Sequence, residues 1–381
     1  MRQVLYFCII VIVAALIYGC SSSGPEITYV NTSDAAPVTG QRILLQANSI
    51  VDRYPIRYIW AATGGVLEDE DANRYWTYWI APKDPGEYTV SCTVIDDGDD
   101  QETAFFDIDV KQREKKTLLE QGALCMAKDR SAKTGGIWAS TNDDIWYFSS
   151  SGESNIGWGD KFTAIAIQKY SSYYYYTYHI IWGAVENKIH YYRSSDDTGT
   201  MTCEGCGAIN AMEVDGSILW VGADNGLYKC STATYTCEDT TITDTKVCDI
   251  YVGEDLTLAA TTTGIYTLDA DGNTWEVKYS GDTCAVTVDG DGDIWSITDD
   301  EVMKENEDKS GLNKLDPQPD YVAASLDIDL LDRIWCGKYY WDGDISTWQD
   351  PTGIEESVEE SIVSPEGLVY LRSTSGALFC W

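Results

Sequence analysis

Asp215-Gly216-Ser217-Ile218-Leu219-Trp220-Val221-Gly222-Ala223-Asp224-Asn225-Gly226-Leu227-Tyr228 decides how this chain is read. Asp-Gly and Asp-Asn-Gly are turn formers, and the apolar run between them has strand length, too short for a helix. The same phrase recurs from Thr117 to Trp381: an apolar strand, a turn, an apolar-aromatic strand, a tight turn and a third strand. The second strands include Gly136-Ile137-Trp138-Ala139-Ser140, Ile180-Ile181-Trp182-Gly183-Ala184, Asp293-Ile294-Trp295-Ser296-Ile297 and Arg333-Ile334-Trp335-Cys336-Gly337. Their anchors Trp138, Trp182, Trp220, Leu258, Trp295, Trp335 and Tyr370 are spaced 44, 38, 38, 37, 40 and 35 residues apart. A period near 40 with several strands per unit predicts a β-propeller, and seven anchors predict seven blades. The last unit stops at its third strand, Ala377 to Trp381, while Thr117 to Glu120 is a strand without a unit. If that strand completes the last blade, the ring closes without a free edge.

The Asp215–Tyr228 phrase resembles the two-component-regulator type of propeller repeat, and Asp289-Gly290-Asp291-Gly292-Asp293-Ile294-Trp295 repeats it in the fifth unit. The resemblance covers the C-terminal two-thirds and implies fold far more than activity. The repeated Trp are expected in the inter-blade core rather than in a ligand cage.

Residues 26–112 read differently. Ile27–Val30, Ile43–Ala47, Ile56–Ala62, Tyr75–Ala81, Tyr88–Asp96 and Ala104–Val110 are short strand candidates with turn signals between them. Tyr88, Val90, Cys92 and Val94 alternate with Thr89, Ser91 and Thr93, so one face is buried. Trp60 lies mid-strand. Asp84-Pro85-Gly86-Glu87-Tyr88-Thr89-Val90, preceded by Trp79-Ile80-Ala81-Pro82, resembles immunoglobulin-like and polycystic-kidney-disease-type (PKD) domains. That resemblance implies a spacer or adhesion module with a β-sandwich fold. Cys92 is its only cysteine, so no inter-sheet disulfide can form and a buried thiol is expected. The fold class is therefore all-β: an immunoglobulin-like β-sandwich followed by a seven-bladed β-propeller in residues 113–381. The basic run Lys111, Arg113, Lys115 and Lys116 marks the boundary and reads as a solvated linker, with a docking patch for an acidic partner as the alternative.

The N-terminus has Arg2, an apolar run from Val4 to Tyr18, and then Gly19-Cys20-Ser21-Ser22-Ser23. This is a signal peptide over residues 1–19, too short for a comfortable membrane span. Leu16-Ile17-Tyr18-Gly19-Cys20 resembles the lipobox of bacterial lipoproteins. The resemblance implies cleavage before Cys20, acylation of Cys20, and a tether over residues 20–25. Ser21 in place of Asp implies the outer membrane, on the periplasmic or the cell-surface side.

Composition narrows the function. With 26 Lys and Arg against 62 Asp and Glu, the net charge is −36. Such a surface repels phosphate, which excludes nucleic acid as a partner, and it repels an anionic bilayer, so membrane attachment must be lipidic. The chain has only two histidines, His179 and His190, both in the second blade. No His-based triad, Walker loop or Rossmann fingerprint is present. Asp271-Gly272-Asn273-Thr274-Trp275 partly resembles the Asp-box of sialidase propellers but lacks its Ser and second Asp, and the box is structural in that family.

Four groups are candidate sites. Cys230 and Cys237 flank a hairpin turn and are expected to form a disulfide. Cys203-Glu204-Gly205-Cys206 is expected to form a second, since zinc would need two further ligands and no second C-x-x-C exists. Cys248 and Cys284, on adjacent first strands, are expected to be buried thiols. Asp289, Asp291 and Asp293 alternate as a weak calcium motif, against the plainer reading of a turn between strands. Asp96-Asp97-Gly98-Asp99-Asp100 is similar and reads as a hairpin tip. The run Tyr173, Tyr174, Tyr175, Tyr176 and Tyr178 is either a binding loop or an extended strand with alternate rings packed. The turns holding Thr141-Asn142-Asp143, Asp224-Asn225, Thr261-Thr262-Thr263, Asp299-Asp300 and Thr374-Ser375 are expected to gather at one rim as a polar funnel.

These readings favour a non-enzymatic outer-membrane lipoprotein whose propeller is a binding or scaffolding platform for an envelope protein or glycan. No cofactor is expected beyond possible calcium. The alternatives are a surface carbohydrate-active enzyme, glycosidase or lyase, using rim carboxylates such as Asp224 or Asp299, and an outer-membrane assembly scaffold.

Overall fold

A computed structural model of the chain describes residues 24–68, 73–128, 135–158, 160–171, 177–194, 196–343 and 346–381. The signal segment and Cys20 lie outside the described residues, as do Tyr173, Tyr174, Tyr175 and Tyr176. Every named element is a β-strand. The chain divides into two compact units, residues 1–112 and 113–381.

The first unit has two antiparallel sheets. One is ordered Glu26–Thr32, Arg42–Ile50, Trp76–Ile80 and Val66–Glu68; the other is Arg57–Ala62, Gly86–Ile95 and Gln101–Val110. Alternation puts Ile43, Leu45, Trp79, Trp60, Val90, Cys92, Val94 and Ile108 into one core between them. Trp60 donates its indole N–H to the Arg74 carbonyl, and Trp79 donates to that of Gly64, so neither buried ring strands a donor. Cys92 is a buried free thiol. At the Asp96–Asp100 tip, Asp96 accepts the N–H groups of Gly98 and Asp100, while Arg53 and Arg57 pair with Asp100 and Asp99. The three-residue strand Val66–Glu68 escaped the sequence reading because only two of its residues are apolar.

The second unit consists of seven four-stranded antiparallel sheets, six of them meanders of four consecutive strands. Blades 1 to 6 run through Cys125–Asn155, Ala164–Thr202, Ile209–Thr243, Val247–Ser280, Thr283–Lys314 and Leu326–Gln349. Blade 7 comprises Val358–Val363, Val369–Ser373 and Leu378–Cys380, and its outer strand is Lys116–Leu119 from the start of the unit. Each anchor sits on the second strand of its blade. Trp182, Trp220, Leu258, Trp295, Trp335 and Tyr370 are buried; Trp138 is half-buried.

No blade covers its own faces. One core joins blades 2 and 3 and takes in Trp182, Leu219 and Val221; another joins blades 3 and 4, with Trp220 edge-on to Trp275 at 5.3 Å; a third joins blades 6 and 7 through Trp335 and Trp381. Gly222 shows how close the blades come, since a Cβ there would stand 2.6 Å from Val247 of the next blade. Side-chain carboxylates latch neighbouring inner strands. Asp249 accepts the Val286 N–H, Asp327 accepts the Val363 N–H, and Glu360 of blade 7 accepts the Met126 N–H of blade 1, bridging the seam where the ring closes.

A shared device holds the inner hairpins of blades 5 and 6. Asp289 accepts the N–H groups of Asp291 and Asp293, and then the Trp295 indole at 2.7 Å. Asp329 does the same for Leu331, Arg333 and Trp335, and adds the Arg333 guanidinium. One carboxylate six residues before the tryptophan thus caps the turn and fixes the ring. In blade 3 the turn Asp215-Gly216 is tighter, and the Trp220 indole nitrogen is buried without a hydrogen-bond partner.

The boundary run is not a solvated linker throughout. Arg113 is buried in blade 7, donates to the Gly367 carbonyl at 2.8 Å, and lies over the Trp381 ring at 5.1 Å. Burial lowers its pKa to about 10. Lys115 reaches the Gly353 carbonyl.

Candidate functional site

The inner strands surround an axial channel, and their order around the ring decides which groups meet there. A cavity of about 260 Å³ is lined by Met126, Lys128, Glu213, Asp249, Asp327, Glu359, Glu360 and Arg372, among others. Both of its cations are paired. Lys128 lies 2.6 Å from Asp327, both largely buried. Arg372 contacts Glu359 at 2.9 Å and Glu360 at 2.8 Å. Burial pushes the Glu360 carboxyl above its ordinary value even beside this cation, and the two carboxylates hold the Arg372 guanidinium firmly protonated. Asp249, Asp327 and Glu360 also spend an oxygen on the backbone of the following blade. These acids are positioned to hold blades together, and the mouth they line is polar and acidic, with five carboxylates against two cations.

Beside the channel, a groove of about 720 Å³ runs between blades 7 and 1 and shares Leu124 and Arg372 with it. Thr141, Asn142, Asp143, Trp146, Thr374 and Ser375 line it. Two of the predicted rim turns therefore meet in one cavity. The others are held within the rim. Asp224 accepts from Ala208 N and Asn210 Nδ2, and Asn225 donates to the Gly205 carbonyl at 2.8 Å. Asp299 accepts the Asp282 N–H. Thr245, Thr261, Thr262 and Thr263 share hydroxyl hydrogen bonds. Asp300 is exposed.

Tyr173, Tyr174, Tyr175 and Tyr176 lie outside the described residues, between the first and second strands of blade 2, Ala164–Ser171 and Thr177–Val185. Gln168, in the first of these strands, donates to the Gly216 carbonyl of the first hairpin of blade 3. The backbone of Tyr178 is in the second strand, paired with Tyr170.

Asp289, Asp291 and Asp293 lie in a turn between the first two strands of blade 5, among cations and N–H donors. Lys304 lies 3.2 Å from both Asp289 and Asp293, Lys309 lies 3.8 Å from Asp293, and Asp289 is filled by N–H donors. A cation would have to displace two ammonium groups and an indole. The histidines are packed, His179 against Trp138 and His190 against Phe162, and burial lowers the His190 pKa.

Cys230 and Cys237 face one another across the third and fourth strands of blade 3 and are disulfide-bonded. The expected Cys203–Cys206 disulfide is corrected: both are buried free thiols, in a turn opened by Gly205 at φ +76°. Burial pushes both thiols up. Cys248 and Cys284 are free but half-buried. The sequence reading missed that Cys203 lies beside Cys230 and Cys237, with all three Sγ atoms within 4.8 Å of one another. It treated the two cysteine pairs as separate, because the residues between them give no distance across blades 2 and 3. It also missed the Arg372 and Lys128 pairs, since abundant acids hide which ones a cation selects.

Comparisons with known proteins agree with this architecture. No curated protein matches the sequence. Among solved structures, the chain is similar to the extracellular domain of the one-component system BT4673 of B. thetaiotaomicron, with a TM-score of 0.56 and 13% identity over 70% of this chain and 40% of that one. It is also similar to the extracellular domain of the hybrid two-component system BT3049 of the same organism, with a TM-score of 0.52 and 11% identity over 90% of this chain and 59% of that one. The chain thus spans about two-fifths to three-fifths of those structures, and at this identity the likeness concerns fold. The model of the HVO_0234-like beta-propeller family matches residues 119–325. That match takes in more than half of the sequence and most of the ring described above, and the chain belongs to the HVO_0234-like beta-propeller family.

Proposed function

We propose that the protein is a non-enzymatic outer-membrane lipoprotein whose propeller is a binding platform for an envelope protein or glycan. Its N-terminal unit, read as an immunoglobulin-like or PKD-type sandwich, would act as the spacer. The observation that carries the platform reading is the pairing in the channel. Catalysis by two carboxylates needs one free to act as acid and one as base or nucleophile. Of the five carboxylates lining the cavity, Glu359 and Glu360 are held by Arg372, Asp327 by Lys128, Asp249 by the Val286 and Ile250 N–H groups, and Glu213 accepts the Val214 N–H. The groove between blades 7 and 1 offers the concave, mixed polar and aromatic surface that recognition uses, on a rigid scaffold. Fold likeness to extracellular domains that belong to signalling systems is compatible with an exported binding module.

Two measurements test this reading. Metabolic labelling with a palmitate analogue is expected to mark the wild-type chain in the outer-membrane fraction, and Cys20→Ala is expected to abolish the label and release the protein. Retention of the label in the variant would refute the anchor. A broad glycan panel is expected to show retention without turnover or no retention at all. Product release abolished by changing Asp224 or Asp299 would replace the platform reading with the carbohydrate-active one.

A further inference from the structure

Four sulfurs from two segments meet in the core shared by blades 2 and 3. Cys203, Cys206 and Cys230 are fully buried there and Cys237 packs against them. Cys203 Sγ lies within 4.8 Å of both sulfurs of the Cys230–Cys237 disulfide, and the Cys203 and Cys206 thiols share a hydrogen bond. A thiol beside a disulfide, with a second thiol beside the first, is the arrangement that thiol–disulfide exchange requires. We propose that these four residues form one exchange unit, in which the disulfide passes between the Cys230–Cys237 and Cys203–Cys206 positions.

The steps balance within the chain. Cys203 gives up its proton by way of the solvent that reaches Cys237, and its Sγ lone pair attacks one sulfur of the Cys230–Cys237 bond. A Cys203 mixed disulfide forms, and the other sulfur leaves with the electron pair and is protonated. Cys206 then loses its proton and attacks Cys203 Sγ. The Cys203–Cys206 bond forms, the mixed disulfide breaks, and the second hairpin sulfur leaves as a thiolate and takes a proton. The Cys203–Cys206 pair is oxidised, the Cys230–Cys237 pair is reduced, and no external oxidant is consumed.

The surroundings hold the attacking pair in place. Asn225 donates its backbone N–H to the Cys206 carbonyl at 3.0 Å and its side chain to Gly205, and Cys203 N donates to the Asn187 carbonyl. The exchange also changes what the surface offers. Cys203, Cys206 and Cys230 are sealed, whereas Cys237 is half-buried on the hairpin. Moving the disulfide inward therefore delivers a thiol to the one position of the four that solvent reaches.

The test starts from the full chain with two of these four sulfurs reduced, as isolated or after one equivalent of a phosphine reductant. The folded protein is incubated between pH 7.5 and 8.5, labelled with N-ethylmaleimide, and mapped by peptide mass spectrometry. Labelled Cys237 is expected together with a Cys203–Cys206 link. Its rate of appearance should rise about tenfold per pH unit, since the thiolate is the attacking species. Cys206→Ser removes the resolving thiol and should accumulate a mixed disulfide from Cys203 to Cys230 or Cys237. Cys203→Ser should leave Cys237 unlabelled. If a variant fails to fold, the wild-type map decides alone. The proposal is overturned if the wild type holds only the Cys230–Cys237 link throughout. It is equally overturned if Cys237 is labelled only in molecules where buried Cys125 and Cys336 are labelled too, which would mean unfolding.

Discussion

Asp329→Ala is expected to destabilise the propeller by about 3–5 kcal/mol, the range for removing one partner of a buried ion pair. The side chain is buried and its oxygens serve four donors: the N–H groups of Leu331 and Arg333, the Arg333 guanidinium at 2.6–2.7 Å, and the Trp335 indole at 3.0 Å. Alanine leaves a largely buried cation and a buried indole N–H unpaired at once, and frees the turn between the first two strands of blade 6. The damage should spread, because Trp335 packs in the blade 6 and 7 core against Trp381 and Arg333 lies over the Tyr340 ring at 4.6 Å. Asp329→Asn keeps an oxygen for the turn but loses the ionic partner, so it should fall between wild type and alanine. Chemical denaturation followed by tryptophan emission measures both; a loss under 1 kcal/mol for alanine would show that the carboxylate does not organise the blade.

The second large effect is expected at Arg113. Arg113→Ala removes the cation that donates to the Gly367 carbonyl and lies over the Trp381 ring, three residues before the strand Lys116–Leu119 that completes blade 7. Hydrogen bonds from a charged donor are worth about 1.5–3 kcal/mol, and the carbonyls left behind lie in a site closed to water. A loss of about 2–4 kcal/mol follows, with a fall in Tm of roughly 10 °C for a unit of this size. The distinguishing readout is local. Amide exchange should quicken first in Lys116–Leu119 and Leu378–Cys380, the pair that seals the ring. Uniform acceleration across all blades would mean that Arg113 stabilises the fold without anchoring its closure.

The repeat was legible because each blade repeats one physical demand. An inter-blade core needs a large buried side chain on the second strand, and the seven anchors from Trp138 to Tyr370 mark it at near-constant spacing. Closure was legible for a similar reason, since a blade ending at Cys380 lacks an edge partner and Thr117-Leu118-Leu119 has no other use. The D-x5-W spacing shared by Asp289 and Trp295 and by Asp329 and Trp335 was open to view, yet the Asp-rich segment reads as a turn or a weak ion motif without pointing to the tryptophan six residues on. What could not be read was any contact across blades with no sequence rule behind it. Glu360 meeting Met126 and Cys203 meeting Cys230 depend on the twist and spacing of the ring. The candidate rim was half-legible: turns of the right chemistry were found, but the structure spends Asp224 and Asn225 on holding the Cys203–Cys206 turn.

In the proposed function, the face bearing the channel mouth and the blade 7 and 1 groove receives the partner. Photo-crosslinking in cells tests it most directly, with a photoreactive residue placed in turn at exposed Asp143, Asp300 and Ser375 on that rim and at exposed Asp215, Thr234 and Asp271 on the opposite face. One stoichiometric envelope adduct is expected from the rim positions and none from the other three. Adducts confined to Asp215, Thr234 and Asp271, or none from any position while the protein stays folded and anchored, would contradict it.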